Sequence, residues 1–139
     1  MIYHCIRMTI KPGVPKEQVA AVLGQMRATG LESTSVKSLV IGPDYGGEFD
    51  YGAMSMIETL EDYEAMMNDP AHLEIDRIGL PLVEKFVSFD IVDDPDPGMG
   101  ARIADIHRRR YASMPELADL VAGIDGYSGN AAPIKLRQD

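Results

Sequence analysis

With 139 residues, the chain has the length of one domain, or of one domain and a tail. Its hydrophobic fraction of 45% and charged fraction of 25% are those of an ordinary soluble globular protein that buries a core. The net charge of −9 excludes nucleic acid and anionic membrane surfaces as expected partners, since both need basic patches.

Residues Ile2 to Ile10 alternate. Ile2, His4, Ile6, Met8 and Ile10 share one face, and Tyr3, Cys5, Arg7 and Thr9 the other, which is the period-two pattern of a strand. Lys11-Pro12-Gly13 ends it, and Pro15 stands where the first turn of a helix tolerates proline. Over Lys16 to Thr29, Val19, Val22, Leu23 and Met26 recur at helical spacing, and Gly30 supplies a stop. A second strand is expected over Thr34 to Ile41, closed by Gly42-Pro43. The turn-rich Asp44-Tyr45-Gly46-Gly47 leads into a third, Phe49 to Glu58, and so short a connection predicts a hairpin.

Thr59, with an acid three residues on at Asp62, marks the start of a helix over Leu60 to Asn68. Asp69-Pro70 must break it, because the residue before a proline is held away from helical angles. Pro70 opens a second short helix carrying Leu73, Ile75, Ile78 and Leu82, and Glu84 to Val92 is a last strand. Residues 93–100 then read as a linker between a first unit, 1–92, and a helical extension, 101–139. In the extension, Ala101 to Tyr111 carries a stripe of Ile103, Ile106 and His107, and Pro115 to Ile124 one of Leu117, Leu120, Val121 and Ile124. Neither helix is long enough to stand alone, so both must pack on something. Arg108-Arg109-Arg110 reads as a solvated helix face, and Asp125 to Asp139 as polar and turn residues.

Strand, helix, strand, strand, broken helix, strand is the split βαβ order. It predicts an α+β, ferredoxin-like antiparallel sheet with helices on one face. Strand four carries Phe86 on one face and Val87, Phe89 and Ile91 on the other, and strand three Phe49, Tyr51, Ala53 and Ile57 on one and Met54 and Met56 on the other, so neither face is plainly polar and the one away from the helices needs a cover. A second copy of the chain is the simplest one, which makes the expected partner the chain itself, as a homodimer.

Among chemistry-bearing residues, His72 is placed by the rigid Asp69-Pro70 break at a helix start, and histidine titrates near neutral pH. Its structural reading is a hydrogen bond to a loop or a neighbouring subunit. Its functional reading is a general base beside a carbonyl. His4 shares a face with Ile2, Ile6 and Met8, where a histidine is more often a satisfied core residue, but where it would also meet His72 in one pocket. Tyr51 and Tyr63 read as packing residues with the hydroxyl at a wet edge, able to fix a carbonyl oxygen. Ile6, Tyr51, Met66 and Phe86 are the side chains expected to touch a ligand. Cys5, the sole cysteine, is expected to be a buried inert thiol. Three scattered histidines and that cysteine give no metal-ligand spacing, and Gly46-Gly47 is a turn rather than a phosphate loop, so neither metal nor cofactor is expected. One cysteine, an N-terminus without a signal-peptide pattern and no long apolar run make the cytoplasm the expected location.

Together His4, the Ile41-Gly42-Pro43 close of strand two, Phe49-Asp50-Tyr51 and above all Asp69-Pro70-Ala71-His72 resemble the stress-responsive dimeric α/β-barrel (Dabb) family, over Met1 to Val92. The resemblance implies a two-fold dimer whose sheets close into one barrel. In a plant polyketide cyclase of that family the catalytic histidine matches His72 and a strand-one histidine matches His4. The cyclase's catalytic tyrosine falls on Met66 and its third-strand histidine on Ala53, two departures, with Tyr63 about one helical turn earlier as a substitute. The expected function is a barrel protein that binds a small hydrophobic carbonyl or polyketide-like molecule. If catalytic, it is a cofactor-free cyclase or lyase with His72 as base and Tyr63 or His4 orienting the carbonyl. The alternatives are a non-enzymatic, stress-related structural or assembly protein, whose interior would be filled, and an enzyme resembling the antibiotic-synthesis monooxygenases.

Overall fold

A computed structural model describes residues 1–129, 131 and 132. Strand β1 (Ile2–Ile10) lies between β3 (Tyr51–Ile57) and β4 (Val83–Val92), antiparallel to both, and β2 (Ser38–Pro43) extends the sheet antiparallel to β3. The spatial order β2-β3-β1-β4 is that of the split βαβ fold. A short fifth strand, β5 (Gly126–Gly129), pairs parallel to β4 and makes the sheet mixed. The sequence, read as turn residues there, carries no apolar alternation to announce it. Gly129 makes the contact: its φ is +109°, and a Cβ there would lie 1.6 Å from the Ser88 carbonyl oxygen, so only glycine brings β5 this close. Residues 130 and 133–139 of the expected polar tail lie outside the described residues.

The helices gather on the sheet face carrying Ile2, His4, Ile6 and Met8. Helix α1 (Lys16–Glu32) runs past the expected stop at Gly30, where the missing side chain leaves room for Leu39 of β2. It ends at Ser33, whose N–H bonds to the Thr29 carbonyl. Helix α2 (Leu60–Asn68) starts as expected, the Thr59 hydroxyl accepting from the Asp62 N–H at 3.1 Å. Asp69 ends α2 and caps α3 (Pro70–Gly79), its carboxylate accepting from the Ala71 N–H at 2.9 Å, with Pro70 in the first turn. A short 3₁₀ turn over Leu80–Leu82 leads into β4.

The C-terminal helices α4 (Met99–Ser113) and α5 (Pro115–Ala122) join the same layer. Ile103 and Ile106 of α4 complete a core with Ile2, Ile57, Tyr63 and Met67. Leu117, Val121 and Ile124 complete a second with Met8, Leu80, Val83 and Phe86. The apolar stripes read in the sequence are therefore the buried faces. Arg108 and Arg109 are exposed, as a solvated face requires, but Arg110 is buried with only 6% exposure. The expectation for the triplet fails at this residue, because 103, 106, 107 and 110 fall on one helical stripe.

Among the described residues nothing covers the opposite sheet face. Val40, Met54, Phe89 and Ile91 are exposed there, Ile91 to 59%. Among the described residues no helix is long and apolar enough to cross a membrane.

Candidate functional site

All three histidines converge between the sheet and the helices. His4 and His72 belong to β1 and α3, and His107 to α4, so the third comes from the extension. All three line a cavity of about 170 Å³. Val19, Val22, Leu23 and Met26 of α1 form one wall, Leu39 and Ile41 of β2 another, and Ile6, Met8, Met66 and Phe86 further apolar surface. Apart from Val19 the α1 and β2 residues of this wall are half-buried.

Behind the cavity lies a closed polar network. Register sets Asp90 of β4 opposite His4 of β1, both on the inward face. Their side chains meet at 2.8 Å, His4 Nδ1 to Asp90 Oδ1. Asp90 is a carboxylate, so His4 Nδ1–H donates, and among the described residues Nε2 makes no hydrogen bond. The Tyr63 hydroxyl donates to Asp90 Oδ2 at 3.1 Å, with His4 Nδ1 at 3.2 Å, and accepts from His107 Nε2 at 2.8 Å. The Tyr63 and His4 rings meet edge to face, as do those of Tyr63 and His107.

The electrostatics follow from this arrangement. Burial raises the Tyr63 phenol, the Asp90 charge adds to the rise, and Tyr63 keeps its proton. Burial works against the Asp90 carboxylate, but hydrogen bonds from His4 and Tyr63 outweigh it and hold the acid below its ordinary range. Burial pushes His107 down to about 4, assisted by repulsion from His4, so its ring is neutral at pH 7.

His72 is held separately. Its Nδ1 lies 3.1 Å from the Met66 carbonyl oxygen and must donate to it, which leaves the lone pair on Nε2. Nε2 stands 3.7 Å from Asp76 Oδ1, too far for a hydrogen bond but close enough for an ion pair on protonation. Burial lowers the His72 pKa; Asp76 opposes the shift without cancelling it. A quarter of the side chain, 25%, stays exposed, so the neutral imidazole remains within reach of a small molecule. Asp76 in turn takes Arg110 Nη2 on Oδ2 at 2.8 Å.

The residues singled out from sequence separate here. His4, Ile6, Met66, His72 and Phe86 all line the cavity. Tyr63 is fully buried, with 0% exposure, and is not part of the cavity lining, which corrects the expected wet-edge hydroxyl: its bonds to Asp90 and His107 hold it inside. Tyr51 packs half-buried against the core of Met8 and Phe86, also outside the lining. Cys5 is buried on the opposite side of β1, and burial raises its thiol. The sequence reading missed Asp90, Asp76 and Arg110 as polar partners. Strand alternation could have found Asp90, which shares the inward face with Phe86 and Ser88.

Residues 2–93 match the family model described as the stress responsive A/B barrel domain, and the chain belongs to that family. No curated protein matches it. Among solved structures it is similar to a dimeric ferredoxin-like protein of unknown function from Thermobifida fusca YX, 19% identical (TM-score 0.60; 66% of this chain, 89% of that one). It is likewise similar to the hydroxynitrile lyase of Passiflora edulis, 17% identical (TM-score 0.62; 68% and 94%). The cofactor-independent oxygenase SnoaB of Streptomyces nogalater is 13% identical (TM-score 0.55; 69% and 96%). At such identities the likeness establishes the ferredoxin-like fold. The family match ends before α4 begins, so the extension that supplies His107 and Arg110 lies outside it.

Proposed function

We propose that this chain binds a small carbonyl compound in its central cavity and transfers a proton on it without a cofactor, as an aldol-type, cyclisation or lyase step requires. One observation carries the reading: His4 and His72 line a single apolar cavity, each with one ring nitrogen tied to the protein and Nε2 left unbonded. His72, neutral through burial, takes the proton next to the carbonyl. His4, anchored on Asp90 through Nδ1–H, presents Nε2 to the cavity and orients the bound compound. Tyr63 and His107 act as positioning residues that fix His4 and Asp90 from behind. A cavity of about 170 Å³ suits a ring-sized molecule better than an extended polyketide, since an engineered cavity of about 150 Å³ holds benzene.

A purely structural protein would fill this space, so the open cavity favours the small-molecule reading over an assembly role. The oxygenase-like reading has only the shared fold on its side. The uncovered face with Val40, Met54, Phe89 and Ile91 supports a two-fold homodimer, the state named for a related structure. The lone buried thiol of Cys5 suits the cytoplasm.

The test is α-deuteration of cyclohexanone or acetophenone in D₂O, followed by NMR. Exchange above the buffer rate is expected, and His72→Ala should lower it by about 10²–10⁴ with the oligomer intact. Exchange that survives His72→Ala would remove His72 as the base.

A further inference from the structure

We propose that Asp76 and Arg110 are positioning residues for His72: the guanidinium of the extension holds the Asp76 carboxylate beside His72 Nε2, as counter-ion to the imidazolium that proton uptake creates. The inference deepens the reading above and rests on it for the reaction, but the charge set itself is testable without turnover.

The first observation is geometric. His72 and Asp76 stand about one turn apart on α3, so their side chains share a face. The carboxylate has a different partner on each oxygen. Oδ2 accepts from Arg110 Nη2 at 2.8 Å, and Oδ1 stands 3.7 Å from His72 Nε2. The imidazole is held in this orientation, since Nδ1 is fixed on the Met66 carbonyl oxygen. Among the described residues the Arg110 guanidinium makes this one hydrogen bond, and its Nε is buried without an acceptor. Arg7 and Arg77 instead each close two bonds on one carboxylate. A buried ion pair with a bond unmade adds little to stability over apolar side chains of the same size, so its presence points to a task.

The second observation is the company His72 keeps. Besides Asp76 and Arg110, the titratable groups that share its cavity are the Asp69 cap of its own helix, His4 of β1, His107 and Tyr111 of α4 and Tyr127 of β5; among the described residues the other elements bring none. Burial keeps His107, Tyr111 and Tyr127 neutral, and Asp69 is bonded to the Ala71 N–H. Arg110 is thus the fixed cation beside Asp76. When His72 takes the proton next to a carbonyl, the C–H electron pair stays on the ligand as an enolate, and Nε2 becomes an N–H cation. A carboxylate this close, in a site shielded from water, steadies that cation. Left alone, the same carboxylate would favour the protonated ring at rest, which has no lone pair to act as a base. The Arg110 charge offsets it, so burial prevails and the resting ring is neutral. Because α4 lies beyond the family match, this control of His72 comes from the chain's extension rather than from the barrel.

Histidine-ring NMR of the full chain against pH, with no ligand present, tests the proposal. Asp76→Asn should lower the His72 pKa and Arg110→Gln should raise it, while Arg110→Lys, which keeps the charge, should stay near the native value. Loss of packing alone would not move His72 in opposite directions. If Arg110→Gln does not fold, the near-isosteric Asp76→Asn decides, and an unmoved His72 there would overturn the proposal. In ketone deuteration near neutral pH, Asp76→Asn should be slower by about tenfold, the effect of one nearby charge. A His72 pKa unmoved in both variants or moved the same way in both, or an exchange rate unchanged in Asp76→Asn, would overturn the proposal. Opposite shifts without any deuteration by the native protein would support the charge set and count against the proton-transfer reading alone. Deuteration that depends on His72, with its pKa unmoved in the variants, would count against the positioning role alone.

Discussion

The imidazoles of His4, His72 and His107 have the same ionisable group in three settings. His4 shares its proton with Asp90, His72 gives one to a backbone carbonyl, and His107 gives one to a phenol that keeps its own. Tyr63 is the hinge of the set. Tyr63→Phe removes one donor and one acceptor at once and leaves Asp90 Oδ2 and His107 Nε2 without that partner, so a loss of about 1–3 kcal/mol is expected in denaturant unfolding. Acid should act through His107. Its folded pKa, about 4, lies below the ordinary 6.5, so the unfolded chain binds more protons between these values. Stability is then present above pH 6.5 and lost as the pH falls toward 4, by about 3 kcal/mol for this residue. His72 moves in the same direction. A pH series of melting curves checks this: His107→Gln should flatten the slope in that window, and an unchanged slope would remove His107 as its source.

At the level of helices and strands, what the sequence disclosed and what it hid divide along physical lines. Alternation in Ile2 to Ile10, the cap at Thr59 and the break at Asp69-Pro70 are local signals, and each element they predict is present. The place of His72 followed from Pro70 for the same reason. Pairing across the sheet is not local. Nothing near Asp90 announces His4, 86 residues away, and nothing near Arg110 announces Asp76. Strand β5 was illegible because edge pairing and one glycine contact make it, not an apolar pattern. The stripe Ile103, Ile106 and His107 was legible, and extending it to Arg110 would have found the buried cation. These helices are integral to the core: Ile103 is 1% exposed, and Ile103→Ala should destabilise the fold by about 2–5 kcal/mol in urea unfolding. An effect below ~0.5 kcal/mol would mean that α4 adds little to the core.

For the whole molecule, one sheet has two different faces. Helices cover the first, from α1 to the extension, and keep a cavity at its centre. The second presents Val40, Met54, Phe89 and Ile91 to solvent, a contiguous apolar surface that an isolated chain rarely keeps. Light scattering should therefore find a dimer, and Ile91→Lys should shift it toward monomer at low micromolar concentration. A native protein that stays monomeric at high concentration would assign that face to another occupant. Function, on this account, belongs to the covered face. The most direct measurement is an NMR titration of the labelled full chain with acetophenone and with cyclohexanone, reading the histidine rings and cavity methyls. The expected result is saturable shifts at His4, His72 and the Ile6, Met66 and Leu23 side chains, with Ile91 and Val40 unmoved. Shifts confined to the open sheet face, or none with either compound, would contradict a ligand site between the sheet and its helices.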